Sequence, residues 1–362
     1  MLYYQINFCY NPFHFFMKSI LVTGGAGFIG SHTCVKLLQE GFDVCIADSL
    51  VNSSEFTITQ INKIIKNFHK DKYGKLFFRK GDLRNKNFVQ DLFSEFKNKK
   101  NPFESVIHFA GLKAVEESIN KPLDYWNVNL ISTINLLSIM EQNNCNTIVF
   151  SSSATIYETA KDRLLKENDQ KNPINPYGNT KLAIETLLND LFNSNPGKWK
   201  IANLRYFNPV GAHESGLIGE NPLNKPSNLF PLILKVAKGE YEHLSIFGND
   251  WETRDGTCIR DYIHVMDLAE AHFEALNFLK RSKPQILPLN IGTGKGTTVL
   301  EVLEAFKKIN KCEVFHKIKN RRKGDNCCVV ADNNLAKETL GWYPKRGMYE
   351  ICSDLWKSAS LD

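Results

Sequence analysis

Tyr177 and Lys181 stand four residues apart in Asn175-Pro-Tyr-Gly-Asn-Thr-Lys181, and Ser153 closes an apolar run that ends in hydroxyls, Phe150-Ser-Ser-Ser153. On a helix, positions i and i+4 share a face, so the phenol and the ammonium would sit together. A nearby ammonium favours phenolate and is expected to lower the tyrosine's pKa. A phenol tuned in this way can take a proton from a sugar hydroxyl while hydride leaves the same carbon. The serine, at a strand's carboxyl end where ligands of parallel sheets bind, can bond the reacting oxygen and relay the proton. Alone, a Tyr/Lys pair at this spacing is usually a surface pair, so the elements around it must decide.

Those elements begin with Ile20-Leu-Val-Thr-Gly-Gly-Ala-Gly-Phe-Ile-Gly30. An apolar run reads as a buried strand, a glycine turn breaks it, and Phe28 to Glu40 reads as a helix. Gly24 suits the tight turn, Gly27 lets a pyrophosphate approach the backbone, and Gly30 lets the helix pack closely on the sheet. The free N–H groups and the positive end of the helix would face the phosphates. The next strand, Phe42 to Asp48, ends in a carboxylate 18 residues beyond Gly30. A carboxylate there accepts from ribose hydroxyls and repels a 2′-phosphate, which favours NAD over NADP.

The pattern alternates strand and helix onward. Leu76 to Asp82 reads as a third strand, where Asp82 meets an adenine amino group or is a plain turn residue. A helix follows over about 87–97. Ser105 to Gly111 is a fourth strand whose exit, Ala110-Gly111, leaves room for a cofactor; His108 within it reads as a satisfied buried histidine. Residues 123–142 read as one helix carrying Asn129, Thr147–Ser153 as the fifth strand, Tyr177 to about Asn193 as a helix, and Ile201–Tyr206 as a further strand. The fold class is therefore α/β, a doubly wound parallel sheet of Rossmann type. Prolines and glycines become dense after Phe207, with short elements at 229–238, 244–247, 267–279 and 299–308, which suggests a smaller α/β substrate-binding lobe. The expected domains are 17–207 for NAD and 208–362 for substrate. Residues 1–16 lack a basic start and a small-residue cleavage site, so they make a poor signal peptide. They are too short and polar to span a bilayer. They are expected to be a poorly ordered, dispensable extension, with Met17 just before the first strand.

The chain has 362 residues, 43% hydrophobic and 23% charged, enough for two domains without staples. Its lysines are scattered, so the net charge of +6 gives no nucleic-acid stripe. Nine dispersed cysteines without a C-x-x-C pair argue for a reducing, cytoplasmic compartment and against disulfides or a metal site.

Eight stretches carry a specific resemblance: LVTGGAGFIGSHT, HFAGLKAVEES, FSSSAT, NPYGNTK, LRYFNPVGAH, IFGND, DGTCIRDYIHVMDLA and RRKGD. Over Ile20 to about Tyr343 the chain resembles the UDP-glucose 4-epimerase family of extended short-chain dehydrogenases/reductases. The resemblance implies reversible inversion at C4 of UDP-glucose and UDP-galactose, in galactose metabolism, with NAD staying bound and the sugar passing through a 4-keto form. Ser153, Tyr177 and Lys181 would be catalytic. Phe28, Ile29, Asp82, Leu83, Phe109, Ala110, Lys113, Asn129 and Phe207 would join Gly24, Gly27, Gly30 and Asp48 around the cofactor. Asn208, Asn228, Leu229, Phe247, Arg260 and Arg322 would hold the nucleotide or its phosphates, the arginines because a planar charged fork matches pyrophosphate; structural ion pairing is their other reading. A homodimer is expected through helices near 87–97 or 123–142 and the Tyr177 helix.

Two departures stand out. Glu158 replaces a usual glycine, which puts the shape of that loop in question. Val329 falls where some relatives carry tyrosine beside the hexose, and a smaller side chain would admit N-acetylated UDP-hexosamines. Two rivals remain at this point. A 4,6-dehydratase needs carboxylates beside the Ser/Thr, whereas no acid follows Ser153 until Glu158. A non-catalytic NAD or sugar-nucleotide sensor often loses the tyrosine or the lysine, and both are kept.

Overall fold

The computed structural model describes residues 19–68, 73–158, 163–221, 226, 228–322 and 325–360. The expected extension, 1–16, lies outside them. Six parallel strands are β1 (Ser19–Thr23), β2 (Asp43–Asp48), β3 (Leu76–Lys80), β4 (Phe103–His108), β5 (Thr147–Ser153) and β6 (Lys200–Tyr206). β1 and β2 are buried at every position, as strands covered on both faces must be. Helices α1 (Phe28–Gln39), α2 (Glu55–Phe68) and α3 (Lys86–Asn98) connect the first strands. The sheet order is seventh strand, β6, β5, β4, β1, β2, β3, all parallel. The order reverses between β1 and β4, and ligands of such sheets bind in the crevice at that switch point.

Two cores cover the two faces of the sheet. One joins Val35 and Leu38 of α1 and Ile61 of α2 to Leu268 and Leu276. The other joins Phe93 and Phe96 of α3 to Leu136, Ile184 and Leu188. Burying each such side chain is worth roughly 1.5–3 kcal/mol. A third core, with Phe230, Ile246, Phe306 and Leu355, belongs to the lobe. There Leu244–Phe247 pairs with His316–Lys319, and helices Leu229–Ala237, Val299–Asn310 and Met348–Ser360 pack nearby.

The division expected at Phe207 does not fall as a single cut. The seventh strand of the main sheet is Gln285–Ile291, paired with β6 over its whole length. The preceding helix, Val265–Arg281, supplies Leu268, Ala271 and Ala275 to the core that α1 lines. The chain leaves the sheet at Tyr206, starts the lobe, returns for residues 265–291 and leaves again. A composition change marks where a lobe begins; it cannot mark a later return.

Local chemistry explains the element that matters most. Pro176 opens helix Pro176–Ser194 where no N–H is needed, and the Asn175 side chain accepts from the Gly178 N–H at 2.8 Å. The expected single helix over 123–142 is instead Pro122–Trp126, a π turn at Asn127–Ile131, and Ser132–Gln142. From this turn the Asn129 side chain reaches Leu112 and Thr180.

Candidate active site

The glycine turn sits against the exit of β4. Gly24 has φ of 71°, and its N–H donates to the Ala47 carbonyl at 2.8 Å. A Cβ there would lie 2.7 Å from the Ala110 nitrogen, and one on Gly30 would strike the Gly24 carbonyl. Gly27 caps α1 in extended geometry without a capping side chain. The first N–H groups of the helix, at Phe28, Ile29 and Gly30, therefore have no intrahelical or capping partner, and the cradle fits a pyrophosphate. Asp48 stands at the end of β2 and holds the turn from one side. It accepts from Ala26 N–H at 3.0 Å, Leu50 N–H at 2.9 Å and the Ser53 hydroxyl at 2.9 Å. A carboxylate has about four acceptor positions, so one stays open for a ribose hydroxyl.

Other residues expected on the cofactor side divide. Phe109 packs into the first core and its ring lies 4.7 Å from that of His272, while Ala110 faces Gly24. Lys113 lies 6.0 Å from the Phe28 ring. Leu83 is buried in the second core. Asp82 is held in its turn by Arg84, whose guanidinium lowers the carboxyl pKa; the plain-turn reading describes its geometry. Asn129 is committed to the protein: it accepts from Leu112 N–H at 2.8 Å and donates to the Leu112 carbonyl and the Thr180 hydroxyl. It ties the β4 exit to the Tyr177 helix. His108 is satisfied by Thr23 at 2.7 Å and Thr133 at 2.9 Å, and burial lowers its pKa to about 3.

Ser153, Tyr177 and Lys181 come together. Ser153 accepts from the backbone and hydroxyl of Thr155 at 3.2 and 3.0 Å, and its hydroxyl stands near enough to the Tyr177 phenol to hold down that phenol's pKa. Lys181 donates to the Ser151 carbonyl at 2.6 Å, and its ammonium lies 5.8 Å from the Tyr177 ring centre. The expected fall in the tyrosine's pKa is not what this geometry gives. Burial pushes the phenol up to about 12, opposed by the Ser153 hydrogen bond, and pushes Lys181 down to about 7, opposed by the Glu185 charge. Spacing alone revealed the pairing but not the desolvation, which disfavours both charged forms.

On the lobe side, Phe207 packs with Ile156, Leu165 and Ala331. Asn208 opens a short strand paired with Tyr262–His264, and its N–H donates to the Asp261 carbonyl. Asn228 precedes helix Leu229–Ala237, of which Leu229 is the first residue. Phe247 ends its strand with the Arg322 guanidinium 4.5 Å from its ring centre, and Arg322 is paired with Asp325 at 3.0 Å. Arg260 donates to the carbonyls of Ile259 and Asn326, both at 2.8 Å. Val329 pairs with Arg260 in register and packs against the Phe207 cluster. Glu158, the departure from glycine, donates its N–H to the Gln170 carbonyl, and its neighbour Tyr157 bridges Lys171 in antiparallel register.

Several residues at the site escaped the sequence reading. Glu220 accepts from Lys113 at 3.1 Å and from Asn228 at 2.9 Å, bridging the two sides; no spacing pointed to it. Asp261, fully buried, accepts from Thr293, Gly294 and Ala331 and fixes the strand that carries Arg260. Glu185 and Arg205 form a buried pair at 2.6 Å. Glu185 had a signal, since it lies four residues past Lys181 on the same face, and so had Arg205, a charge within an apolar strand.

A family model described as GDP-mannose 4,6 dehydratase matches residues 21–355. UDP-glucose 4-epimerase 2 of Arabidopsis thaliana is 46% identical over 343 residues, which are 95% of each chain. A crystal structure of UDP-glucose-4-epimerase from Stenotrophomonas maltophila, with bound NAD and formylated UDP-arabinopyranose, superposes with a TM-score of 0.89 at 42% identity, covering 95% of this chain and 98% of that one. The enzyme from Bifidobacterium longum, in complex with NAD+ and UDP, gives 0.87 at 40%, covering 95% and 99%. Sequence similarity over nearly the full length and the matching fold agree with the clustered serine, tyrosine and lysine: the chain belongs to the UDP-glucose 4-epimerase family, within the extended short-chain dehydrogenases/reductases.

Proposed function

We propose that this protein interconverts UDP-glucose and UDP-galactose by inverting C4 of the hexose, with NAD held throughout. The observation that carries the reading is the cluster of Tyr177 phenol, Ser153 hydroxyl and Lys181 ammonium at the carboxyl end of β5. NAD held in the glycine-turn cradle would supply the acceptor, and then the donor, of the C4 hydride. Tyr177 takes the proton of the 4-hydroxyl and later gives it back, and Ser153 orients the reacting oxygen. At a phenol pKa of about 12, the neutral tyrosine dominates near pH 7. Positive charge beside it draws it toward phenolate, and the Lys181 ammonium is the chain's own source. Because inversion needs the 4-keto sugar to show its other face, the grip must fall on the UDP handle. Asn208, Asn228, Leu229, Phe247, Arg260 and Arg322 are assigned to that grip, and Glu220 couples it to Lys113 on the cofactor side.

Three finer points belong to the same reading. N-acetylated UDP-hexosamines are accepted, because valine at 329 leaves room that tyrosine would fill. The protein is a homodimer: Leu123 is 81% exposed, and Trp126, Ile131 and Ile134 continue an apolar stripe across the π turn. It is cytoplasmic, in keeping with eight described cysteines that are all free thiols. Among the described residues no helix is long and apolar enough to cross a membrane.

The test is a coupled assay of UDP-galactose conversion by purified protein with no added NAD. Turnover is expected for the wild type, and Tyr177→Phe is expected to lose on the order of 10²–10⁴-fold in kcat. Wild-type rates in Tyr177→Phe would remove the tyrosine from its role. A wild type that releases NAD on denaturation yet does not turn over UDP-galactose would favour a sensor.

A further inference from the structure

The Tyr177 helix and β5 meet in a ladder of three rungs. Tyr177, Lys181 and Glu185 are spaced by four on one face of the helix. Three consecutive residues of β5 answer them. The Ser153 hydroxyl stands beside the Tyr177 phenol and draws its pKa down. The Ser151 carbonyl accepts from Lys181 at 2.6 Å, and the Ser152 hydroxyl donates to Glu185 Oε1 at 2.5 Å. The first two rungs hold groups assigned above to the chemistry. The third holds a carboxylate only 3% exposed. Isolated, it would be too costly to keep ionised.

It is not isolated. Arg205 of β6, the register partner of Ser152, donates Nε to Oε1 at 2.9 Å and Nη2 to Oε2 at 2.6 Å. Its remaining amino group donates to the Tyr157 hydroxyl and the Glu167 carbonyl, both at 2.8 Å. The Tyr157 hydroxyl in turn donates to Asn290 at 2.6 Å, in the seventh strand. The third rung is therefore fixed from the sheet side by a bidentate fork, a geometry that resists sliding.

We propose that Glu185 is a positioning residue. Clamped by Ser152 and Arg205, it sets the register of the Tyr177 helix on β5 and holds a negative charge one helical turn from Lys181, which favours the ammonium form of that lysine beside the phenol.

The inference rests on the epimerase reading for its consequence to the rate, but not for its consequence to Lys181. The groups that face Lys181 can be named for each packed element. Tyr177 and Glu185 lie on its own helix, the Ser151 carbonyl and the Phe150 ring (4.9 Å) on β5, and His108, neutral at its lowered pKa, on β4. Arg205 on β6 stands behind Glu185. Glu185 is the nearby anion, and it raises the lysine's pKa against burial. Without it the ammonium gives up its proton at lower pH, and any rate that needs the ammonium is lost at lower pH on the alkaline side.

Three variants test this on the full chain: Glu185→Gln, the double change Glu185→Leu with Arg205→Leu, and Ser152→Ala. The double change removes both buried charges together, which cores often tolerate; Ser152→Ala deletes one hydroxyl and leaves both charges paired. Lysine is labelled with ¹³C at Cε, and the Lys181 signal is identified by its loss in Lys181→Met. In folded Glu185→Gln its titration midpoint is expected to fall by about one pH unit, and in the double variant by less, because the Arg205 charge that opposes Glu185 is removed with it. The kcat for UDP-galactose at pH 8 is expected to fall on the order of tenfold, with KM and bound NAD within about twofold. Ser152→Ala is expected to lose about threefold in kcat while staying folded, with a Tm lower by a few degrees. An unmoved Lys181 midpoint in folded Glu185→Gln overturns the proposal, whatever the rate does. If that variant does not fold, wild-type kcat in Ser152→Ala overturns it. Because the titration needs no turnover, a wild type that fails to convert UDP-galactose would count against the epimerase reading alone.

Discussion

At Gly24 a positive φ and a backbone neighbour act together. A methyl group there is strained by conformation and pressed against Ala110 at 2.7 Å. Gly24→Ala is expected to cost about 1–2 kcal/mol from the backbone conformation alone and to loosen the cofactor cradle. The checks are a lower Tm in denaturation and less nucleotide recovered per chain after precipitation; full recovery with an unchanged Tm would contradict the close approach. At the other end of the site, Val329→Tyr is expected to abolish turnover of UDP-N-acetylglucosamine and spare UDP-glucose. If the wild type ignores the acetylated sugar, the reading of that position fails. The glycines, Ser153, Tyr177 and Lys181 were legible because their chemistry depends on identity and local spacing. The protonation of Tyr177 and Lys181 was not, because burial is set by residues far away in the chain. The protein partners of Asp82, Asn129 and Arg322 were not legible either: their hydrogen bonds to Arg84, Leu112, Thr180 and Asp325 join residues that only the fold brings together or that spacing did not single out.

At the scale of elements, the π turn does two things. It points Asn129 at Leu112 and Thr180, and it places Trp126 and Ile131, five residues apart, on one exposed stripe with Leu123 and Ile134. A charge in that stripe would be buried without a partner in a dimer. Leu123→Glu is therefore expected to shift the protein to monomers in light scattering at micromolar concentration, with its far-UV spectrum unchanged. A wild type that is already monomeric would reject the interface. Strand and helix positions were readable from periodicity to within a residue or two in most of the sheet: β5 falls where expected, and so does Leu244–Phe247 in the lobe. The π turn was not readable, since one inserted residue leaves the apolar periodicity nearly intact. Gln285–Ile291 was missed because its apolar run carries Pro288 and Asn290, and Asn290 is explained only by Tyr157 and Leu165 across the fold.

For the molecule as a whole, three buried histidines link stability to pH. Burial lowers His32 and His108 to about 3 and His272 to about 4, from an ordinary 6.5. Their folded pKa values lie below the unfolded one, so the unfolded chain binds more protons below pH 6.5. The stability they supply is complete above about pH 6.5 and is lost as pH falls toward 3–4, by about 1.4 kcal/mol per histidine per pH unit. Urea midpoints should fall between pH 7.5 and 5.5, and His108→Gln should flatten that slope. The sheet itself has a consequence for synthesis. Residues 200–206 leave the ribosome long before 285–291, so β6 waits with a bare hydrogen-bonding edge while about eighty more residues are made. A nonsense codon between 207 and 284 would release a nascent chain whose edge is never covered, and such a product should be found in inclusion bodies rather than as a free nucleotide-binding half.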